Sequence, residues 1–509
     1  MIISLSVLVI TIIVSGTYAL YKAQLSKNIG VNTTTHGLAY YINYVKGTDI
    51  TAATLNPSTS YEGGASSDIE FWKKDDSYDI YGKIELTVNT IGTNLSNSPA
   101  LKYAVVNNGN VLKEGSLKGT TSGSKVTILK NLYLEQTKQI YTVYVWLDNS
   151  EELGNISNES LSISVDCTAS LQKEPAADTI ISLYTSAAKV TATNNSITYN
   201  TAPSVSLMND RLGGTTTSLD GGNIRYYGAS PNNYIYFNCS DYSNQTSSTC
   251  ETWRIIGVFD GKLKLIRGSQ IGKYSWDNKN ISTGAEDDRG KNDWTTARLM
   301  KLLNPSNYYK VDSNDNNLGQ SLYYNSASGK CYSGQNNATV DCDFTSTGIK
   351  NAETRNMIAE TTYNLGGWNS NSVYSNQIYE YERGTTVYSG RPTTWKGKIA
   401  LAYPSDYGYA ADLNQCKDKT LYDYDNRTCT SNNWMKAIIT NNGSNTGWLL
   451  TPRSGSSSNA WYVNSGGFVS RGSIAYVAYG AVPVLSLSSE LGIESGGDGS
   501  SSKPYKLSA

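Results

Sequence analysis

Trp253 to Arg267 reads WRIIGVFDGKLKLIR. Two β-type runs flank Asp260-Gly261, a dipeptide that tolerates the backbone twist of a tight turn and so predicts a β-hairpin. The same kind of signal recurs upstream. Ile84, Leu86 and Val88 alternate with polar neighbours, and IYTVYVWL over Ile140–Leu147 does likewise. Asn108-Gly109, Ser122-Gly123 and Asp148-Asn149 supply turns between such runs. Short strands punctuated by turns predict a mainly β chain, with a β-sandwich over residues 23–168. Ala176–Ala188 (AADTIISLYTSAA) predicts one short helix that Asn194-Asn195-Ser196 breaks, so residues 169–201 read as a linker. Residues 202–509 read as one larger α+β domain. Its expected helices lie over Asn292–Leu303, stopped by Asn304-Pro305, and within Ser346–Leu365, ended by Gly366-Gly367. A strand is expected over Trp395–Tyr403, and a final strand series begins at Trp448.

A chain of 509 residues exceeds one ordinary core, in keeping with that division. Lys plus Arg (42) balance Asp plus Glu (43), so no basic field exists to hold a phosphate backbone, and nucleic acid is excluded as a partner. Tyr is used 39 times against 5 Phe and 5 Met. Tyr joins an apolar body to a polar tip and loses little entropy when fixed, which suits polar β-surfaces that bind.

Residues 1–22 read as a signal peptide or a membrane anchor. Ile2–Val14 is mostly apolar, and Ser15-Gly16-Thr17-Tyr18-Ala19 places cleavage after Ala19. The run is short for a membrane span and lacks a basic start. Six of the seven cysteines fall into close pairs: Cys239 with Cys250, Cys331 with Cys342, and Cys416 with Cys429. Each pair brackets a short polar segment, as a loop staple does in an oxidising compartment, although six cysteines allow fifteen connectivities. Zinc would want tighter pairs, and no His follows His36. Cys167 is left over.

Two resemblances add to this reading. Residues 5–165 resemble the camelysin/TasA family in the apolar start ending SGTYA, in Tyr81–Val88 (YGKIELTV) and in Tyr141–Asp148 (YTVYVWLD). That resemblance implies an exported, jelly-roll-like β-sandwich built into surface or matrix fibres. Metalloprotease activity described for some members does not carry over, because His36 is the only His and a two-His zinc site cannot form.

Residues 230–507 resemble bacterial surface domains with a C-type-lectin-like fold, related to the formylglycine-generating-enzyme fold. The motifs are Trp253–Gly257 (WRIIG), Tyr274–Asp277 (YSWD), Tyr403–Tyr409 (YPSDYGY), Trp448–Pro452 (WLLTP), Asn459–Gly467 (NAWYVNSGG) and the closing Gly496–Tyr505. Where those domains carry Val-Arg-Pro, this chain has Ala481-Val482-Pro483, and any tie made by that arginine is missing. The same fold houses variable proteins of diversity-generating retroelements, whose hypervariable positions cluster near the C-terminus. By that resemblance Val469, Ile474 and Val477 are scaffold. A ligand face is then expected at Asn459, Tyr462, Phe468, Ser470, Arg471, Gly472, Ser473, Ala475, Tyr476, Ala478 and Tyr479. This set of rigid aromatics among small residues has the composition of a paratope. A plain strand pair with Tyr on its wet face is the bland alternative.

Little else in the sequence points to chemistry. A serine or cysteine nucleophile lacks a histidine base in this domain, and no catalytic residue, metal site or cofactor is expected. Glu286-Asp287-Asp288 and Glu380 with Glu382 are carboxylate candidates for glycan hydrolysis. The first group reads as a loop and the second as the solvated side of a strand. Asp312–Asn317 (DSNDNN) lacks the placed Gly and terminal Glu of a calcium loop and reads as polar loop. The sequence therefore predicts a secreted or surface-displayed, adhesin-like binding protein and not an enzyme. Its expected partners are an extracellular protein or glycan ligand and, through residues 23–168, the envelope or a fibre. A fibre subunit and a carboxylate hydrolase are the second and third readings.

Overall fold

The computed structural model describes residues 23–24, 41–51, 55–156, 158–171, 173–211, 222–278, 289–310, 318–494 and 496–508. The expected export segment, His36, Glu286-Asp287-Asp288 and Asp312–Asn317 lie outside the described residues. The chain is mainly β, its sheets almost entirely antiparallel, and divides into two units near Glu174/Pro175.

The first unit holds two sheets. Its main strands are β1 (Ala65–Lys73), β2 (Tyr81–Ile91), β3 (Leu101–Asn107), β4 (Asn110–Ser116), β5 (Lys125–Tyr133), β6 (Ile140–Asp148) and β7 (Leu161–Ser170). One sheet runs β7-β2-β5 and the other β1-β6-β3-β4, each extended by short strands. Alternation decides which side is buried. Ile84, Leu86 and Val88 lie opposite Cys167, Val165 and Ile163 in the ladder, and all six are buried. They share one core with Val143 and Val145 of β6 and Ile69 and Phe71 of β1. Cys167 fills space there as a small apolar side chain, and burial pushes its thiol well above the ordinary value. Asn108 and Gly109, with φ of 48° and 77°, form the expected turn between β3 and β4.

The second unit begins with α1 (Ala176–Ser186), which buries Ile180 and Tyr184. The stretch expected as a linker is mostly part of this unit. After α1 come β8 (Val190–Asn194) and β9 (Ile197–Ala202), a hairpin turning at Asn195-Ser196 with φ of 48° and 60°. They start a nine-stranded sheet that continues through β10 (Leu207–Asn209), β11 (Ile224–Tyr226), β12 (Glu251–Phe259) and β13 (Lys262–Arg267). β12 and β13 are the expected hairpin. Asp260 and Gly261 take φ of 48° and 70°, and Trp253 stands opposite Arg267. Gly257 is required by close approach, since a Cβ there would lie 2.1 Å from the Ile224 carbonyl oxygen on β11. Val482, in the place of an expected arginine, is buried in the apolar core beside Ile266 and Val484. The strand Val484–Ser486 is held instead by its ladders to β13 and to Ile399–Ala400.

The expected helix over Asn292–Leu303 is shorter, α2 being Arg298–Leu303. Asn292 donates its amide to the carbonyls of Arg453, Ser456 and Asn459, and the Asp293 carboxylate accepts from Thr295, so the first six residues serve as an anchor loop. α3 (Ala352–Met357) is the helix expected within 346–365, followed by a strand, Thr361–Asn364. The strand expected over Trp395–Tyr403 is two short ones, Thr394–Gly397 and Ile399–Ala400, and α5 (Pro404–Tyr409) follows, after α4 (Ser375–Arg383). The three disulfides join the expected pairs, Cys239–Cys250, Cys331–Cys342 and Cys416–Cys429. They fit an oxidising, extracellular setting. Among the described residues no helix is long and apolar enough to cross a membrane.

Candidate functional site

The candidate face is built on a second sheet of the C-terminal unit. Its strands, in spatial order, are β14 (Lys273–Ser275), β18 (Ala478–Gly480), β15 (Gly447–Pro452), β16 (Asn459–Val463) and the edge strand β17 (Val469–Ile474). Inward-facing Leu449, Trp461, Val463 and Val469 are fully buried and share a core with the Cys416–Cys429 staple. Across the other side the register lines up Trp448, Tyr462 and Ser470. The Tyr479 ring packs 4.7 Å from Trp448 and 5.4 Å from Tyr462. Trp448 is itself fixed by its indole N–H, which donates to the Tyr274 carbonyl at 3.0 Å. Tyr462 and Tyr479 are half-buried, so neither side chain is wholly covered by the fold.

Tyr476 is placed differently. Its carbonyl accepts from Ser275 Oγ at 2.7 Å and its phenol from Gln335 Nε2 at 3.0 Å. Gln335 sits at the tip of the hairpin Ser328–Tyr332/Thr339–Asp343, which Cys331–Cys342 closes. A disulfide-held loop therefore orients a candidate contact residue.

The eleven expected residues do not form one face. Ala475 is fully buried: its N–H donates to Ser458, and its carbonyl accepts from Asp277. Ser473 is only 7% exposed. Both belong to the scaffold and are withdrawn as contact residues. Asn459 spends its amide on the Gly472 carbonyl at 3.3 Å, tying β16 to β17. Of the expected scaffold positions Val469 is buried, while Ile474 and Val477 are half-buried. Ala478 is half-buried opposite Ser275. Phe468 pairs with the exposed Tyr422 ring at 5.7 Å. The register shifts between Ala460 and Tyr462, so Arg471 and Gly472 both stand opposite Trp461. This bulge turns Arg471 to the Trp461 side, away from Tyr462 and Ser470. There Arg471 Nη1 donates to Asn371 Oδ1 at 2.8 Å.

Inside the C-terminal unit lies a buried charge network that the sequence did not announce. Asp406, in α5, accepts from the Tyr403 N–H, from Arg225 Nη1 at 3.0 Å and from Lys264 Nζ at 2.5 Å. Arg225 also bridges to Asp210 at 2.5 Å and lies against the rings of Phe259 and Tyr409. Burial works against ionised Asp406, but Lys264 and Arg225 outweigh it and hold the carboxyl below its ordinary value. The YPSDYGY motif is thus a structural knot: Ser405 reaches Glu382, and Tyr407 donates to the Gly467 carbonyl.

Glu380 and Glu382 are corrected by the same geometry. They lie on helix α4, not on a strand. Glu380 is exposed, whereas Glu382 is fully buried and accepts from the Ser405 N–H and hydroxyl. Residues two apart on a helix do not face one another, so this pair cannot flank one glycosidic bond. Burial pushes the Glu382 carboxyl up to about 7, against the opposing pull of Arg383 and Ser405.

Sequence reading missed Trp448, Gln335, Asn369, Asn371 and Arg453 as parts of the site or its border. Trp448 lay in a quoted motif, but only the register places it beside Tyr462. No family model and no curated protein matches the chain. Among solved structures, crystal structures of two point mutants of a protein designated HCR/D match at 12% identity, covering 53% and 52% of this chain and 76% of theirs. Their TM-scores are 0.16 and 0.15.

Proposed function

We propose that the chain is a secreted or surface-displayed bacterial binding protein of the adhesin or receptor kind. In this reading the N-terminal unit is a jelly-roll-like β-sandwich that joins an envelope or fibre partner. The C-terminal unit is a C-type-lectin-like domain that presents a ligand face, with variation among copies confined to that face. The observation that carries the reading is the half-buried Tyr462 and Tyr479 beside Ser470, resting on the buried Trp448. Rigid aromatics over a stapled core give contact area at low entropic cost, as binding surfaces require. The partner is an extracellular protein or glycan; the balanced charge of the chain disfavours nucleic acid.

The test is binding of the folded chain to immobilised glycans and extracellular-matrix proteins, compared with Tyr462→Ala and Tyr476→Ala. Affinity should drop about tenfold or more, as for aromatic hot spots, while the melting temperature stays within a few degrees. Loss of folding in Tyr476→Ala would make that ring a core residue. Absence of any captured ligand together with concentration-dependent filaments would give first place to the fibre-subunit reading.

A further inference from the structure

The bulge that turns Arg471 away from the tyrosines brings it towards a second arginine. Arg453 follows β15 and donates through Nε to Asn369 Oδ1 at 2.7 Å, while Arg471 uses Nη1 on Asn371. Both asparagines belong to the loop 366–371. This loop is clamped against β15: a Cβ on Gly367 would lie 2.2 Å from the Pro452 carbonyl oxygen, and one on Gly455 2.3 Å from Asn369. Asn371 also donates to the Val469 carbonyl at 3.0 Å. Amide oxygens thus orient both guanidinium groups without neutralising them. Among the described residues neither arginine has a carboxylate partner. Arg471 Nε is buried and makes no hydrogen bond. Burial, and then the charge of Arg471, push the Arg453 guanidinium below its ordinary value. Both side chains remain half-exposed and can be reached. On the same loop Trp368 stacks on Tyr381, ring centroids 4.0 Å apart and 7° from parallel, and both are partly exposed.

We propose that Arg453 and Arg471 form a seat for the sulfate or carboxylate group of an acidic saccharide, whose ring lies towards the Trp368–Tyr381 stack. Guanidinium forks match such oxyanions in a bidentate manner, and an aromatic plane suits the apolar face of a sugar ring. Asn369 and Asn371 are positioning residues that keep the two forks apart and aimed. Arg453 Nη1 and Nη2 and Arg471 Nη2, which the two asparagines leave unused, are the donors a bound oxyanion would meet. The proposal rests on the display reading and names a ligand class for the opposite side of its edge strand.

The test is calorimetric titration of the full, oxidised chain with a heparin-derived hexasaccharide, an oligogalacturonate, a neutral dextran oligosaccharide and a poly-glutamate peptide. The sulfated or the carboxylated saccharide should bind with an affinity that falls as salt rises, and the two probes separate the oxyanion types. Arg453→Gln and Arg471→Gln should each weaken binding about tenfold, and Arg471→Lys should recover part of the loss. Where the Gln variants melt early, Arg453→Lys and Arg471→Lys decide: both keep the charge, so both should keep the salt dependence while losing affinity. The proposal is overturned if neither acidic saccharide binds, if the dextran or poly-glutamate binds as well, or if the double Gln variant binds undiminished. Should these arms fail while Tyr462→Ala still abolishes capture of some other ligand, the display reading survives and the arginine seat alone falls.

Discussion

Replacing Glu382 with Gln tests the buried carboxyl through the pH dependence of stability. The Glu382 carboxyl ionises at about 7 in the folded chain against an ordinary value of 4.5, so between those limits the folded state holds a proton that the unfolded state has lost. Stability from this group is therefore complete below about pH 4.5 and is lost as pH rises through about 7. The full interval corresponds to about 3 kcal/mol. Most of it, roughly 2–3 kcal/mol, disappears between pH 5 and pH 8. Gln resembles the protonated acid: its carbonyl can accept the Ser405 N–H and its amide can donate to the Ser405 hydroxyl, the two contacts Glu382 makes with Ser405, and it gives up only the long 3.4 Å contact from Arg383 Nη1. Glu382→Gln should thus match the parent near pH 5 and exceed it by up to about 3 kcal/mol at pH 8. The difference between the two proteins isolates this carboxyl from Asp277, which burial also pushes up, to about 6. The assay is urea unfolding of the intact, oxidised chain followed by tryptophan fluorescence. Eight of the ten tryptophans, all but Trp72 and Trp146, lie in the C-terminal unit and report on it. A variant weaker than the parent at pH 8, or a gap that does not change between the two pH values, would rule out a protonated Glu382 in the folded chain. It would mean that Glu382 is ionised and stabilising beside Arg383.

Three further outcomes follow from the packing. Cys167 should resist a thiol reagent in the native chain and react at once in denaturant, because its thiol is buried and its pKa is raised; rapid native labelling would contradict its place opposite Ile84. Trp461→Ala should cost about 3–5 kcal/mol, since the indole is fully buried, and lower the thermal midpoint by roughly 10 °C, far more than Tyr476→Ala in the same melt. Replacing Cys331 and Cys342 together by Ser opens a loop of sequence separation 11 and should cost about 2–3 kcal/mol. Hydrogen exchange should speed up across 328–343, and Tyr476 should lose its fixed Gln335 contact; unchanged protection would make the disulfide dispensable.

Where local chemistry and tertiary context agree, the fold is readable from the chain. Asp260-Gly261 needs only its two left-handed residues to fix a hairpin, and Ile84, Leu86 and Val88 need only a sheet with one dry side. The cysteine pairs are legible for a similar reason, being close in sequence and separated by polar loops. Reading fails where a short segment satisfies two periods. YEYER over Tyr379–Arg383 alternates like a strand, yet Ile378 and Glu382 are four apart and both buried, and Arg383 lies 3.4 Å over the Tyr379 ring one helical turn back. The Gln377 side chain accepts the Tyr374 N–H and completes the helix start. Residues 190–201 misled for another reason. Asn194-Asn195-Ser196 ends the helical pattern as a loop does, yet it turns between two strands: Val190–Asn194 is the sheet edge, with Val190 50% exposed, while Ile197–Ala202 lies inside the sheet with Tyr199, Asn200 and Thr201 buried.

The binding face was legible as a segment and not as a surface. A strand sends neighbours to opposite sides, so the four consecutive candidates Ser470, Arg471, Gly472 and Ser473 could never share one face. Burial removes Ser473 and Ala475, and the bulge at Arg471-Gly472 divides the rest. Ser470 stays with Tyr462, while Arg471 joins the loop that carries Asn371. Since β17 is the sheet edge, a ligand that touches both Tyr462 and Arg471 must wrap that edge. A small ligand can engage only one side. Double substitution separates the cases. For a wrapping ligand, the combined loss in Tyr462→Ala with Arg471→Gln should depart from the sum of the single losses. For a one-sided ligand, one of the two substitutions should have no effect at all.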